Sequence, residues 1–114
     1  MKLKKSIDAL KLFEDAARKH SIATEQGDYI VANKNYKKIV ESITYLKSEN
    51  ALDSLLLFLN NESVGVRIWA ATYVLKTDEK AGVKILKEII KQGGILSLNA
   101  EMTLNEWEKG NLKL

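Results

Sequence analysis

His20 is the one side chain in this 114-residue sequence whose ordinary pKa lies near neutrality, so proton-transfer chemistry at neutral pH would begin with it. On a helix, Thr24 shares its face, and Glu25, Asp28, Asn33 and Tyr36 can approach it across a turn at Gly27. A histidine beside a carboxylate can act as a general base. Yet no nucleophile stands in a recognisable setting, and no glycine-rich loop is present to hold phosphate. The expected role of His20, Thr24, Glu25, Asp28, Asn33 and Tyr36 is therefore a hydrogen-bonded clip between two helices.

Arg67 is a second candidate, flanked by Val66, Ala70, Ala71 and Val74. A guanidinium on an apolar arc must be paired. An anion clamp is one reading; the preferred one is a structural ion pair, mostly buried, to a carboxylate or to helix-end carbonyls. Trp69 and Tyr73 share a face four residues apart and serve either as packing between helix pairs or as an anchor for a partner. Lys80, Lys84, Lys87 and Lys91 recur at intervals of four, three and four, while Lys34, Lys37 and Lys38 cluster upstream. Such stripes can contact phosphates, but Glu79, Glu88 and Glu41 interrupt them, and a solvated helix face is the simpler reading.

Composition narrows the chemistry further. With no Cys there are no disulfides, thiolates or zinc fingers, and one His cannot supply a histidine metal cluster. No cofactor, metal or catalytic residue is expected, and the chain reads as non-enzymatic. Net charge is +3, with ten basic against seven acidic residues in positions 1–50 and eight of each thereafter. No apolar run reaches the ~20 residues that span a bilayer, and no signal-peptide apolar region follows the basic N-terminus. The sequence reads as a cytoplasmic protein of one domain, residues 1–114, with no membrane partner.

Helical periodicity runs throughout and predicts six helices and no sheet. The first spans about Ser6–Gln26, with Leu3, Ile7, Leu10, Phe13 and Ala17 inward. Gly27 closes it and Asp28 caps the second, about Tyr29–Ser48, whose expected core stripe is Tyr29, Ala32, Asn33, Tyr36, Ile39, Val40, Ile43 and Leu46. The third covers about Ala51–Leu59. The fourth, about Val64–Leu75, is apolar nearly all round, is capped by Ser63 and should lie at the centre. Thr77 is the expected cap of the fifth, which buries Ala81, Ile85, Leu86, Ile89 and Ile90. Gly93-Gly94 then separates it from a sixth, about Ile95–Lys109. A shift of thirty lays Leu55-Leu56 and Leu59 on Ile85-Leu86 and Ile89. A shift of twenty-nine lays Val66, Ala71 and Leu75 on Ile95, Ala100 and Leu104. Such a spacing suits stacked helix pairs.

The Leu55–Leu59 run, the following turn and Val66-Arg67-x-x-Ala70-Ala71-x-x-x-Leu75 resemble one HEAT repeat. Together with His20-x-x-Ala23-Thr24-x-x-Gly27-Asp28-x-x-x-Ala32-Asn33-x-x-Tyr36 and Glu106-Trp107-x-x-Gly110, the chain resembles a small bacterial HEAT/armadillo-like family of unknown function. That resemblance implies an all-α, right-handed HEAT-like stack of three antiparallel pairs. It brings no catalytic residues, and it associates the chain by type with immunity or inhibitor partners of toxins. The expected function is protein interaction, with nucleic-acid binding through the lysine faces as the alternative. In such a stack the second, fourth and sixth helices share one broad face. Trp69, Tyr73, Asn99, Glu106 and Trp107, joined by Tyr36, are the expected contacts to another protein.

Overall fold

The computed structural model describes residues 3–114, leaving Met1 and Lys2 of the basic N-terminal run outside. Two helices open the chain, α1 (Ser6–Gln26) and α2 (Tyr29–Ser48), and they form an antiparallel hairpin because a stop and a start signal stand side by side. Gly27 takes the left-handed conformation (φ 73°), and the Gly27 and Asp28 amides donate to the Thr24 and Ala23 carbonyls. This is the Schellman closure, which glycine enters without a Cβ penalty. Asp28 Oδ1 then accepts from the Val31 amide at 3.1 Å and caps α2.

The third expected helix is a 3-10 helix, Leu52–Phe58, not an α-helix. It lies between left-handed Asn50 (φ 54°) and the Asn60-Asn61 turn, a span too short for α-helical cooperativity, and it buries Leu55. After it come α3 (Val64–Val74), α4 (Glu79–Gln92) and α5 (Ile95–Glu108). Six helices and no strand are thus present among the described residues, and their apolar side chains join in one core.

Ser63 caps α3 as expected, its Oγ accepting from the Val66 amide at 3.3 Å. Asp78, not Thr77, caps α4, accepting from the Ala81 amide at 3.2 Å. Thr77 instead donates its hydroxyl back to the Val74 carbonyl, because it stands one residue too early to reach the first turn.

α3 is the hub, packing on α1, the 3-10 helix, α4 and α5. Two glycines set how close its neighbours come. A Cβ on Gly65 would overlap the Cβ and Oγ of Ser21 in α1. A Cβ on Gly82 of α4 would stand 2.7 Å from the Ala71 carbonyl oxygen of α3. On α1 the residues that meet Gly65 are themselves small, Ala17 and Ser21, both buried. Only α2 stays clear of the α3 backbone.

The buried stripe of α2 matches the expected one at Ala32, Ile39, Ile43 and Leu46 and departs from it elsewhere. Ala32, Asn35, Ile39, Ser42, Ile43 and Leu46 face inward, while Tyr29 is 72% exposed, Tyr36 45%, and Asn33 and Val40 also face outward. Asn35 and Ser42 join Ala32, Ile39, Ile43 and Leu46 because they stand three and four residues from them on the same face. The inner stripe tolerates its polar members because they bond to their own helix: Asn35 Nδ2 donates to the Val31 carbonyl and Ser42 Oγ to that of Ile39. Ile7 of α1 is exposed, the inward face being carried by Ala9, Phe13, Ala16 and Ala17.

Burial agrees at some of the positions paired by the thirty-residue shift and differs at others. Leu55 and Leu59 are buried, as are Ile85 and Ile89, whereas Leu56 is exposed and Leu86 buried. Val66 is buried and Ile95 exposed.

Candidate functional site

Because α2 never approaches the α3 backbone, the space above α1 between them is filled by rings. Trp69 projects into it from the middle of α3. His20 of α1 meets Trp69 edge to face, with centroids 5.1 Å apart and planes at 89°. Tyr36 of α2 leans on it at 5.8 Å, and Tyr73, one turn along α3, stacks nearly parallel at 6.2 Å. Pairs of this geometry contribute about 0.5–1.5 kcal/mol each beyond the area they bury. Trp69 remains half-buried, so the cluster is part core and part surface.

A groove of about 250 Å³ runs beside these rings. Tyr36, Ile68, Trp69, Thr72 and Tyr73 line it together with Thr103 of α5 and the segment Leu112–Leu114. Burial lowers the His20 pKa below its ordinary 6.5, so the imidazole is mainly neutral at pH 7. Burial, and secondarily the neighbouring Tyr36, pushes the Tyr73 phenol up to about 12. Lys113 is the one charged side chain among the lining residues. The groove is therefore an apolar slot edged with neutral hydroxyls, chemistry suited to holding another chain by burial and hydrogen bonds.

No protein-family model, curated protein or solved structure matches the chain. The site must be judged from its own residues.

The expected polar constellation comes apart. His20 and Tyr36 turn to Trp69, and Thr24 Oγ1 donates back to the His20 carbonyl at 2.9 Å. Asp28 is occupied as a helix cap, and Glu25 and Asn33 face solvent. Burial among rings, not a carboxylate, is what shifts His20.

Arg67 departs from expectation in part. It is partly buried, as expected, but no carboxylate pairs with it; the ion pairs among the described residues are Arg18–Glu14 and Lys19–Asp15, both on α1. Its Nη1 donates to the Asn61 carbonyl at 2.6 Å and more weakly to that of Glu62 at 3.4 Å. The reason is local. Asn61 is the hub of the turn before α3, its Nδ2 donating to Glu14 Oε2 at 2.6 Å while its Oδ1 accepts from the Ser63 amide. Arg67 thus latches the turn that starts its own helix. It also lines a cleft with Asn60, Glu88 and Gln92.

Trp69, Tyr73 and Tyr36 come together as expected, but Trp107 does not join them. Its indole N–H donates to Glu79 Oε2 at 2.6 Å, tying α5 to the start of α4. Asn99 and Glu106 do not line the groove either; Thr103 is the α5 residue that does. The sequence reading missed Thr103 and the returning segment, for which Gly110 followed by alternating Leu112 and Leu114 was the available signal.

Two other surfaces compete for attention. Glu79, Lys80, Val83, Lys84 and Lys87 line a shallow groove of about 470 Å³ on α4. Ile95, Leu98 and Met102 form an exposed stripe along α5. Among the described residues no three His, Cys, Asp or Glu gather as a metal site, and no helix is long and apolar enough to cross a membrane.

Proposed function

We propose that this chain is a non-catalytic protein-interaction module of the HEAT-repeat type, with the Trp69–Tyr36–Tyr73 groove as its docking surface. One observation carries the reading: a cluster of rings, with Tyr36 exposed, Trp69 half-buried and Tyr73 buried, lies beside a groove at the junction of three helices. Trp and Tyr supply a large share of binding energy where partners meet, because they bury much area at small entropic cost. The pairing of α1 with α2, of the 3-10 helix with α3, and of α4 with α5 is compatible with three stacked pairs. The resemblance to small bacterial HEAT-like proteins extends the proposal to an immunity or inhibitor role toward a toxin.

Capture of partners from the native cell tests it. A Trp69→Ala, Tyr36→Ala variant, shown by circular dichroism to be folded, should lose a specific partner that wild type retains. A Lys84→Glu, Lys87→Glu variant should retain it. The reverse pattern, with DNA or RNA binding at low salt that falls steeply as salt rises, would transfer the function to the lysine face.

A further inference from the structure

We propose that Asn111–Leu114 is a displaceable strap, holding within the chain the place of an extended partner peptide with apolar side chains at alternate positions. The proposal rests on the groove being the docking surface and names the chemistry of what docks there. Gly110, left-handed at φ 75°, ends α5 with the same closure as Gly27: its amide donates to the Trp107 carbonyl and that of Asn111 to Glu106. The chain thereby leaves the helix axis and comes to lie along the aromatic groove. Leu112 and Leu114 pack partly buried against the core, with Lys113 exposed between them. That two-residue alternation is the side-chain period of an extended strand.

The fastening is weak by construction. Beyond the Asn111 amide, no backbone hydrogen bond holds residues 112–114 among the described residues, so two half-buried leucines oppose the entropy of an ordered segment. The groove also offers more than the strap uses. Tyr36, Tyr73 and Thr103 bring hydroxyls to it, and none makes a side-chain hydrogen bond among the described residues. Tyr73 stays a neutral donor across the physiological range. An incoming extended chain can present its own amides and carbonyls to those hydroxyls while its apolar residues replace Leu112 and Leu114. While Leu112 and Leu114 cover the core beside the groove, the apparent affinity for a competitor is reduced by the fraction of molecules in which the strap is open.

The test uses the full chain carrying Leu112→Ser and Leu114→Ser, and a fluorescently labelled synthetic peptide of sequence Gly-Asn-Leu-Lys-Leu. Fluorescence anisotropy should show the peptide binding this variant at least tenfold more tightly than wild type. In amide-proton NMR spectra the Trp69 indole resonance should shift on binding and that of Trp107 should not. A peptide with both leucines changed to serine should bind at least tenfold more weakly. Equal affinity for the two proteins, or no binding to the folded variant, overturns the strap. If the double variant does not fold, Leu114→Ala alone should still tighten peptide binding severalfold, and no gain overturns the idea. A wild-type dimer formed by tail exchange overturns it as well. Should the peptide fail while partner capture still depends on Trp69 and Tyr36, the strap falls and the groove reading stands.

Discussion

The two flanks of α3 are built on opposite principles. Toward α1 and α4 the backbones come so close that Gly65 and Gly82 leave no room for a Cβ, with the Ala17 and Ala71 carbonyls against them. Toward α2 the backbones stay apart, and His20, Tyr36, Trp69 and Tyr73 fill the interval with rings. A seam of small residues has one solution, since close-packed backbones tolerate no added volume. A gap filled by side chains keeps an open rim, and such a rim can admit another chain. The tight flank should govern stability, and the aromatic flank should govern binding.

The largest expected effect lies on the tight flank. Gly65→Ala places a methyl on Ser21, so α1 and α3 must separate; we expect a loss of about 2–3 kcal/mol in spite of alanine's better helix propensity. Urea denaturation measures it, and Ser21→Gly in the same chain should recover part of the loss. An alanine variant as stable as wild type would show that the seam is looser than its geometry. On the other flank, Trp69→Ala should cost less stability, about 2 kcal/mol for a half-buried ring, while abolishing partner capture. If it unfolds the chain outright, the cluster is core and the comparison breaks.

Arg67 and Asn35 sharpen the contrast at smaller magnitude. Arg67→Ala removes a charge-assisted bond to a part-buried turn carbonyl, so its cost should be about 1 kcal/mol, below that of breaking a buried pair. Asn35 is buried with its Oδ1 lacking a partner, and its Nδ2 only doubles a bond on a carbonyl already within the helix ladder. Asn35→Leu should therefore raise stability by about 1 kcal/mol, measured as a higher thermal midpoint.

Local signals made much of the fold legible before any coordinates. Gly27, Asp28, Ser63 and Gly93-Gly94 mark helix ends through short-range hydrogen bonding and backbone freedom, and α3 announced its central place by being apolar nearly all round. On α2 the apolar inward residues Ala32, Ile39, Ile43 and Leu46 were legible, but Asn35 and Ser42 were not, because each is a polar residue admitted to the core by a bond to its own helix. Nor were the roles of Trp107 and Arg67, since each turns on where a distant or turn residue lies: Glu79 for one, the Asn61 carbonyl for the other. The groove shared this fate in part. Trp69 and Tyr73 could be paired by helical spacing, but Thr103 and Leu112–Leu114 reach them only through the packing of α5 and the reversal at Gly110.

The smallest predicted effect probes the aromatic flank by pH. Burial holds the folded-state pKa of His20 below its unfolded value of 6.5, so the folded chain binds fewer protons than the unfolded one in that range. Stability then rises with pH. The contribution of neutral His20 is fully present above about 6.5 and is lost progressively as pH falls from there through the lowered folded pKa. His20→Phe keeps a ring against Trp69 and removes the titration. Thermal midpoints at pH 7.5 and pH 5.5 should therefore fall further for wild type than for His20→Phe. Equal falls would mean that the imidazole is freely hydrated in the folded protein, and that the gap between α2 and α3 is open to water down to α1 and not sealed by its rings.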